Sequence, residues 1–141
     1  MDWRVELNGL LGPRTRTTRA EREDAMFQDF LREVVHPAFA LISEELSKYE
    51  RETAIRTTTA STSLNVRNEG EEEFSFRVLR RSLPTMTVPY AEFRYREKNG
   101  FRIARSETIF RESNAEGSLD KVTVDDIVET FLKCYRNSFE G

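Results

Sequence analysis

Apolar residues recur every three or four positions between residues 18 and 51, which places them along one face of a predicted helix. They are Met26, Phe27, Phe30, Leu31, Val34, Ala38, Leu41, Ile42, Leu46 and Tyr49. Thr18 and Glu21 have the spacing of a capping box at the start of this helix. Pro37 interrupts the pattern, and because proline lacks a backbone N–H we expect a kink next to His36.

Residues 53–111 instead alternate between apolar and polar positions, which is typical of half-buried strands. We predict four strands, of which the first covers residues 53–67 and the last follows the hairpin signal Asn99-Gly100. The apolar parity changes after Pro89, which predicts a bulge or a sheet edge there. Because the connections are short, the four strands should form an antiparallel meander.

The two ends of the chain complete the prediction. Residues 1–17 are expected to be irregular or to contain a short strand, because Trp3, Val5 and Leu7 alternate with charged residues. Residues 123–139 have helical spacing and begin with a capping pair, Thr123 and Asp126. We therefore predict a single α+β domain over residues 1–141, in which a long kinked N-terminal helix and a C-terminal helix pack on one face of a four-stranded antiparallel meander.

The residue types that carry catalysis or hold metals are scarce. The chain has one histidine, His36, and one cysteine, Cys134, and it has no glycine-rich phosphate loop. His36 is interpreted as a structural residue at the kink in preference to a catalytic or pH-sensing one, and Cys134 as a small buried side chain. We expect no catalytic residues, no metal and no cofactor, and hence a protein that is not an enzyme.

The same composition bears on localisation. A lone cysteine suits a reducing compartment, and the N-terminus lacks the pattern of a secretory signal. The longest apolar run, residues 37–42, is too short to cross a bilayer. These features predict a cytoplasmic protein that does not interact with membranes.

Charge is distributed unevenly along the chain. Residues 74–111 contain nine Lys or Arg against three Glu, a net charge of +6, whereas the rest of the chain carries −9, which together give the formal charge of −3. If the apolar strand residues, Ile103 among them, point inward, five arginines share the exposed sheet face. This candidate anion-binding face consists of Arg77, Arg81, Arg94, Arg96 and Arg102. The alternative is an ordinary solvated face, whose arginines pair with glutamates such as Glu73, Glu92 and Glu107.

Three functions are compatible with this prediction. The first is a non-enzymatic interaction or adaptor domain that binds a protein partner or a second copy of itself. Open sheet edges and amphipathic helices favour a homodimer. The second is binding of nucleic acid or another polyanion on the arginine face. The third is a small-ligand pocket between the kinked helix and the sheet, near His36, Phe39 and Phe93, although the phenylalanines alone are able to fill that space.

Overall fold

The computed structural model describes residues 2–11, 19–84, 87–96, 103–110 and 119–140. The helices are α1 (Trp3–Leu11), α2 (Arg19–Phe30), α3 (His36–Ser47) and α4 (Val124–Glu140). The strands are β1 (Glu52–Thr57), β2 (Thr62–Asn68), β3 (Glu71–Ser82), β4 (Thr87–Arg96) and β5 (Ile103–Ile109). They form one antiparallel sheet in the order β1-β2-β3-β4-β5. The α+β class and the antiparallel meander are confirmed, but the predicted count of four strands is wrong, because the sheet has five.

The additional strand arises from a turn that contains no glycine, proline or asparagine. The sequence predicts one strand over residues 53–67, yet β1 ends at Thr57 and β2 begins at Thr62. The hydroxyl of Thr58 accepts hydrogen bonds from the backbone N–H groups of Ala60 and Ser61, at 3.2 and 3.1 Å. The N–H of Thr58 donates to the Ser61 carbonyl at 2.8 Å and closes the turn. A threonine side chain thus supplies the hydrogen bonds that reverse the chain.

The predicted long helix is present from residue 19 to residue 47, but it is not a single kinked α-helix. A π-helical turn, Leu31–Val35, joins α2 to α3, and the His36 N–H donates to the carbonyl of Leu31 five residues earlier. Pro37 follows in the first turn of α3. The wider π turn explains how the helix continues past Pro37, whose missing N–H and bulky ring conflict with a regular α-helix.

The N-terminal segment also differs from the expectation of an irregular chain or a short strand, because Trp3–Leu11 forms α1. The alternation of Trp3, Val5 and Leu7 suggested a strand. However, Trp3, Leu7 and Leu10 are also spaced by four and three residues, which suits one face of a helix. Two predicted features lie outside the described residues. They are the hairpin turn at Asn99-Gly100 and Thr18, the first residue of the capping box.

Strand register departs from the prediction at two places. The β2–β3 register shifts between Val66 and Arg67, which makes a bulge at Glu73, whereas β3 and β4 pair without a shift through Pro89. The alternative predicted for Pro89, a sheet edge, is present in the described residues: β4 pairs with β5 only from Tyr90 onwards. Ile103 was expected to point inward but is exposed, which gives β5 the opposite parity.

The core lies between the sheet and the helices α2, α3 and α4. Phe76 is fully buried, and its ring contacts Phe39 of α3 and Phe131 of α4, with centroids 5.9 and 5.5 Å apart. Both helices therefore pack on the same sheet face, as predicted. The capping pair of α4 is also confirmed, since the Asp126 N–H donates to Thr123 Oγ1 at 3.2 Å and the Thr123 N–H donates to Asp126 Oδ2 at 2.9 Å.

Candidate functional site

The sheet face opposite the helices, here called the open face, carries the predicted arginines that the structure describes. Arg77 of β3 and Arg94 of β4 alternate with buried residues and lie on this face. Arg81 and Arg96 lie on it near the ends of the same strands. Arg102 lies outside the described residues.

Three of these arginines are paired with glutamates. Arg77 Nη2 donates to Glu92 at 3.0 Å, and Arg81 Nη2 donates to Glu107 at 3.0 Å. Arg94 donates two hydrogen bonds to Glu72, at 3.2 and 3.1 Å. These pairs match the alternative of a solvated face with cross-strand ion pairs, and pairs this exposed contribute little to stability.

The middle of the open face curves into a polar cleft of about 670 Å³. We call it the arginine cleft and define it by four arginines at its rim and two polar residues at its floor. They are Arg56, Arg77, Arg94 and Arg105 at the rim, and Asn65 and Ser75 at the floor. The cleft thus combines two arginines that the sequence predicted with two that it did not.

Arg56 and Arg105 were missed for separate reasons. Arg56 belongs to β1, which sequence reasoning merged with β2. The sheet face on which Arg56 lies was therefore not predicted. Arg105 lies two residues after Ile103, and the wrong parity assigned to β5 placed it in the core. In the structure Arg94 pairs directly with Arg105, so both share one face, and this register is not readable from alternation within either strand.

A second surface feature is apolar and lies on the helical side. A groove of about 620 Å³ runs between α3 and α4 and is lined mainly by aliphatic and aromatic side chains. We call it the apolar groove and define it by Leu41, Leu46, Tyr49, Val128, Leu132 and Phe139. Four of them are large and about half exposed or more: Leu41, Tyr49, Leu132 and Phe139. Sequence periodicity assigned Leu41, Tyr49 and Leu132 to helix faces but did not show that they remain uncovered.

One end of the apolar groove contains a polar cluster around Glu73, the residue at the β3 bulge. Arg51 donates to both carboxylate oxygens, at 3.2 and 3.1 Å, and the Tyr135 hydroxyl also donates to this carboxylate. Burial, together with the bond to Glu73, raises the pKa of Tyr135 to about 12. The hydrogen bonds from Arg51 to Glu73 raise the pKa of the guanidinium. The cluster links α4 to the sheet and holds Tyr135 at the groove.

The three residues of the predicted small-ligand pocket are not brought together around a cavity. Phe39 is fully buried against Phe76, and Phe93 packs on Phe74 with ring centroids 6.0 Å apart. His36 is exposed to solvent. Aromatic side chains therefore occupy the space between helix and sheet at this point.

Three further observations complete the description of the surface. Cys134 is buried, and burial raises the pKa of its thiol to about 11. Within the described ranges, no group of three or more His, Cys, Asp or Glu side chains is arranged to hold a metal ion. None of the helices in the same part of the chain combines the length and apolarity needed to span a bilayer. Comparison of the chain with protein-family models, with curated proteins and with solved structures found no match.

Proposed function

We propose that this protein is a non-enzymatic, cytoplasmic interaction protein that forms a homodimer, with α1 of each copy bound in the apolar groove of the other. The observation that carries the proposal is the exposure of large side chains along the groove, where Leu132 is 50% and Phe139 is 48% exposed. Contiguous apolar surface of this kind is typical of binding sites. A groove between two helices is suited to receive a third helix.

Helix α1 has the properties expected of the occupant. All of its described side chains are exposed, and Trp3, Leu7 and Leu10 lie on one face at helical spacing. Its nine residues are about 13 Å long, and the groove from Leu41 to Tyr49 is about 12 Å long.

The length of the chain favours a second copy over the same chain. Eight Cα–Cα steps separate Leu11 from Arg19, so their distance is at most about 29 Å. Measured along the helix, Arg19 is about 33 Å from Leu41, the near end of the groove. Leu11 therefore stops about 4 Å short of Leu41 even with residues 12–18 fully extended, so α1 enters the groove of its own chain only if this segment is stretched to its limit, whereas α1 of a partner has no such restriction. Reciprocal exchange gives a closed two-fold dimer with both grooves filled.

The affinity expected from this contact is modest. Completing the burial of three α1 side chains and of the half-exposed groove residues contributes about 6 kcal/mol per groove, or about 12 kcal/mol per dimer. Association costs at least about 4 kcal/mol in lost rotational and translational freedom. The difference corresponds to a dissociation constant on the order of micromolar or weaker.

The single tryptophan provides a direct test. Trp3 is the chain's only tryptophan and is 62% exposed, so its emission reports on α1 alone. We expect a blue shift of its emission as the protein is concentrated from roughly 0.1 to 100 µM, a range chosen to bracket a micromolar constant. Sedimentation should show, over the same range, a mass that doubles from 16.5 kDa.

Two matched variants localise the contact. Leu132→Glu places a charge in the groove and should abolish both the shift and the doubling of mass. Met26→Glu makes the same kind of change at a 53% exposed position outside the groove and should leave both unchanged. A chain that stays monomeric at the highest concentration contradicts the proposal, and so does a dimer whose Trp3 emission does not move.

A further inference from the structure

Two arginines face each other directly across the last two strands of the sheet. Arg94 of β4 and Arg105 of β5 are paired residues on the open face, and like charges in this arrangement are destabilising. Glu72 engages Arg94 through two hydrogen bonds. Arg105 has no ion pair with any described residue. Among the described residues, one positive charge of this pair is therefore not compensated by an ion pair.

A second uncompensated arginine faces the same cleft from the opposite edge of the sheet. Arg56 lies on β1 and likewise forms no ion pair within the described part of the chain. Four strand spacings separate β1 from β5, so the two edges of a flat sheet would be about 19 Å apart. Because Arg56 and Arg105 both line the cleft, the cleft extends across the open face from β1 to β5.

The floor of the cleft offers neutral hydrogen-bonding groups between these charges. Ser75 pairs with Arg94 on one side and with Asn65 on the other. Ser75 is only 9% exposed, and its hydroxyl has no hydrogen-bond partner among the described residues. The Asn65 side-chain amide has no such partner either. Both residues line the open cleft, so their polar groups are available to hydrogen-bond with solvent or with a ligand oxygen.

We infer that the arginine cleft binds a small molecule carrying at least two phosphate or carboxylate groups. The rim arginines supply planar donors for the oxyanions, and Asn65 and Ser75 supply neutral hydrogen bonds between them. The volume of about 670 Å³ is in the range of small-ligand sites.

The surroundings of the cleft favour a compact anion over a nucleic acid. Glu92, which lines the cleft and accepts a hydrogen bond from Arg77, is paired directly with Glu107, so a strand of phosphates would have to pass two carboxylates. Tyr90 is the one aromatic residue on the open face of the described strands, and the Arg81 guanidinium covers its ring at 4.6 Å. No exposed platform for base stacking remains there.

Calorimetric titration at low ionic strength with pyrophosphate, citrate and a single-stranded oligonucleotide tests this inference. We expect saturable one-to-one binding of pyrophosphate or citrate, with the oligonucleotide binding more weakly per molecule. Arg56→Gln and Arg105→Gln should each weaken binding by about tenfold, equivalent to about 1.4 kcal/mol. Arg81→Gln, on the same face but outside the cleft, should change the affinity by less than about twofold.

Thermal unfolding without ligand separates loss of binding from loss of fold. Arg105→Gln removes the like-charge opposition to Arg94, so its Tm should equal or exceed that of the natural chain. Leu132→Glu, on the opposite side of the sheet, should not affect anion binding, which keeps this test independent of dimer formation. Absence of heat with both small anions overturns the inference, as does tighter oligonucleotide binding or an Arg105→Gln variant that binds like Arg81→Gln.

Discussion

The Tyr135 hydroxyl is the point at which α4 is hydrogen-bonded to the sheet, and Tyr135→Phe removes it with little other change. The hydroxyl donates to Glu73, which also accepts two hydrogen bonds from Arg51. The ring remains packed on Phe74 and Phe131, with centroids 5.3 and 5.4 Å away. The substitution therefore isolates a single hydrogen bond to a partly buried carboxylate.

The expected loss of stability follows from the charge and the burial of this bond. A hydrogen bond to a charged group contributes about 1.5–3 kcal/mol when buried. Glu73 is 17% exposed, and solvent screening reduces the value to about 1–2 kcal/mol for Tyr135→Phe. Urea unfolding followed by circular dichroism, at one fixed protein concentration, measures this difference directly.

The same bond predicts a dependence on pH with a definite sign. The pKa of Tyr135 is raised from 10.0 to about 12 in the folded chain. The unfolded chain therefore loses this proton first as the pH rises, and the stabilisation that Tyr135 provides is complete below about pH 10 and lost between about pH 10 and 12. The difference in unfolding free energy between the natural chain and Tyr135→Phe should shrink over that interval.

Tyr49→Phe is the matched control, because Tyr49 is 67% exposed and its hydroxyl has no partner among the described residues. It should have no measurable effect on stability at neutral pH. The reasoning is refuted if Tyr135→Phe is as stable as Tyr49→Phe, or if the deficit of Tyr135→Phe stays constant up to pH 12.

Three further outcomes are expected from the fold. Cys134 should react with a thiol reagent at pH 8 far more slowly in the folded chain than in urea, because burial raises its pKa to about 11; equal rates would contradict its burial. Thr58→Ala should lower the unfolding free energy by about 1 kcal/mol, since the turn loses its side-chain acceptor, whereas Thr59→Ala should not. Phe131→Ala should cost about 3–5 kcal/mol in the same urea assay, because a fully buried ring between Phe74 and Phe76 is removed; a cost below 1 kcal/mol would be inconsistent with this packing.

Features that depend on neighbouring residues could be predicted from the sequence. The start of α4 was predicted because Thr123 and Asp126 cap each other within one turn. The inward facing of Phe74 and Phe76 followed from alternation along β3, and the helical conformation of residues 19–47 followed from apolar spacing. The Thr58 turn is also local but was missed, because its hydrogen bonds come from a threonine and not from the usual turn residues.

Features that depend on how distant segments meet were decided only by the tertiary structure. The arginine cleft is lined by Arg56 of the first strand and Arg105 of the last, and this arrangement depends on the order of the strands and on the register of β5. The apolar groove exists because α3 and α4 leave Leu132 and Phe139 uncovered, although these residues have the same spacing as core residues. Periodicity indicates which side chains share one face of a helix or strand, but it does not indicate what that face packs against. That choice is made by contacts between segments far apart in sequence, which local patterns do not encode.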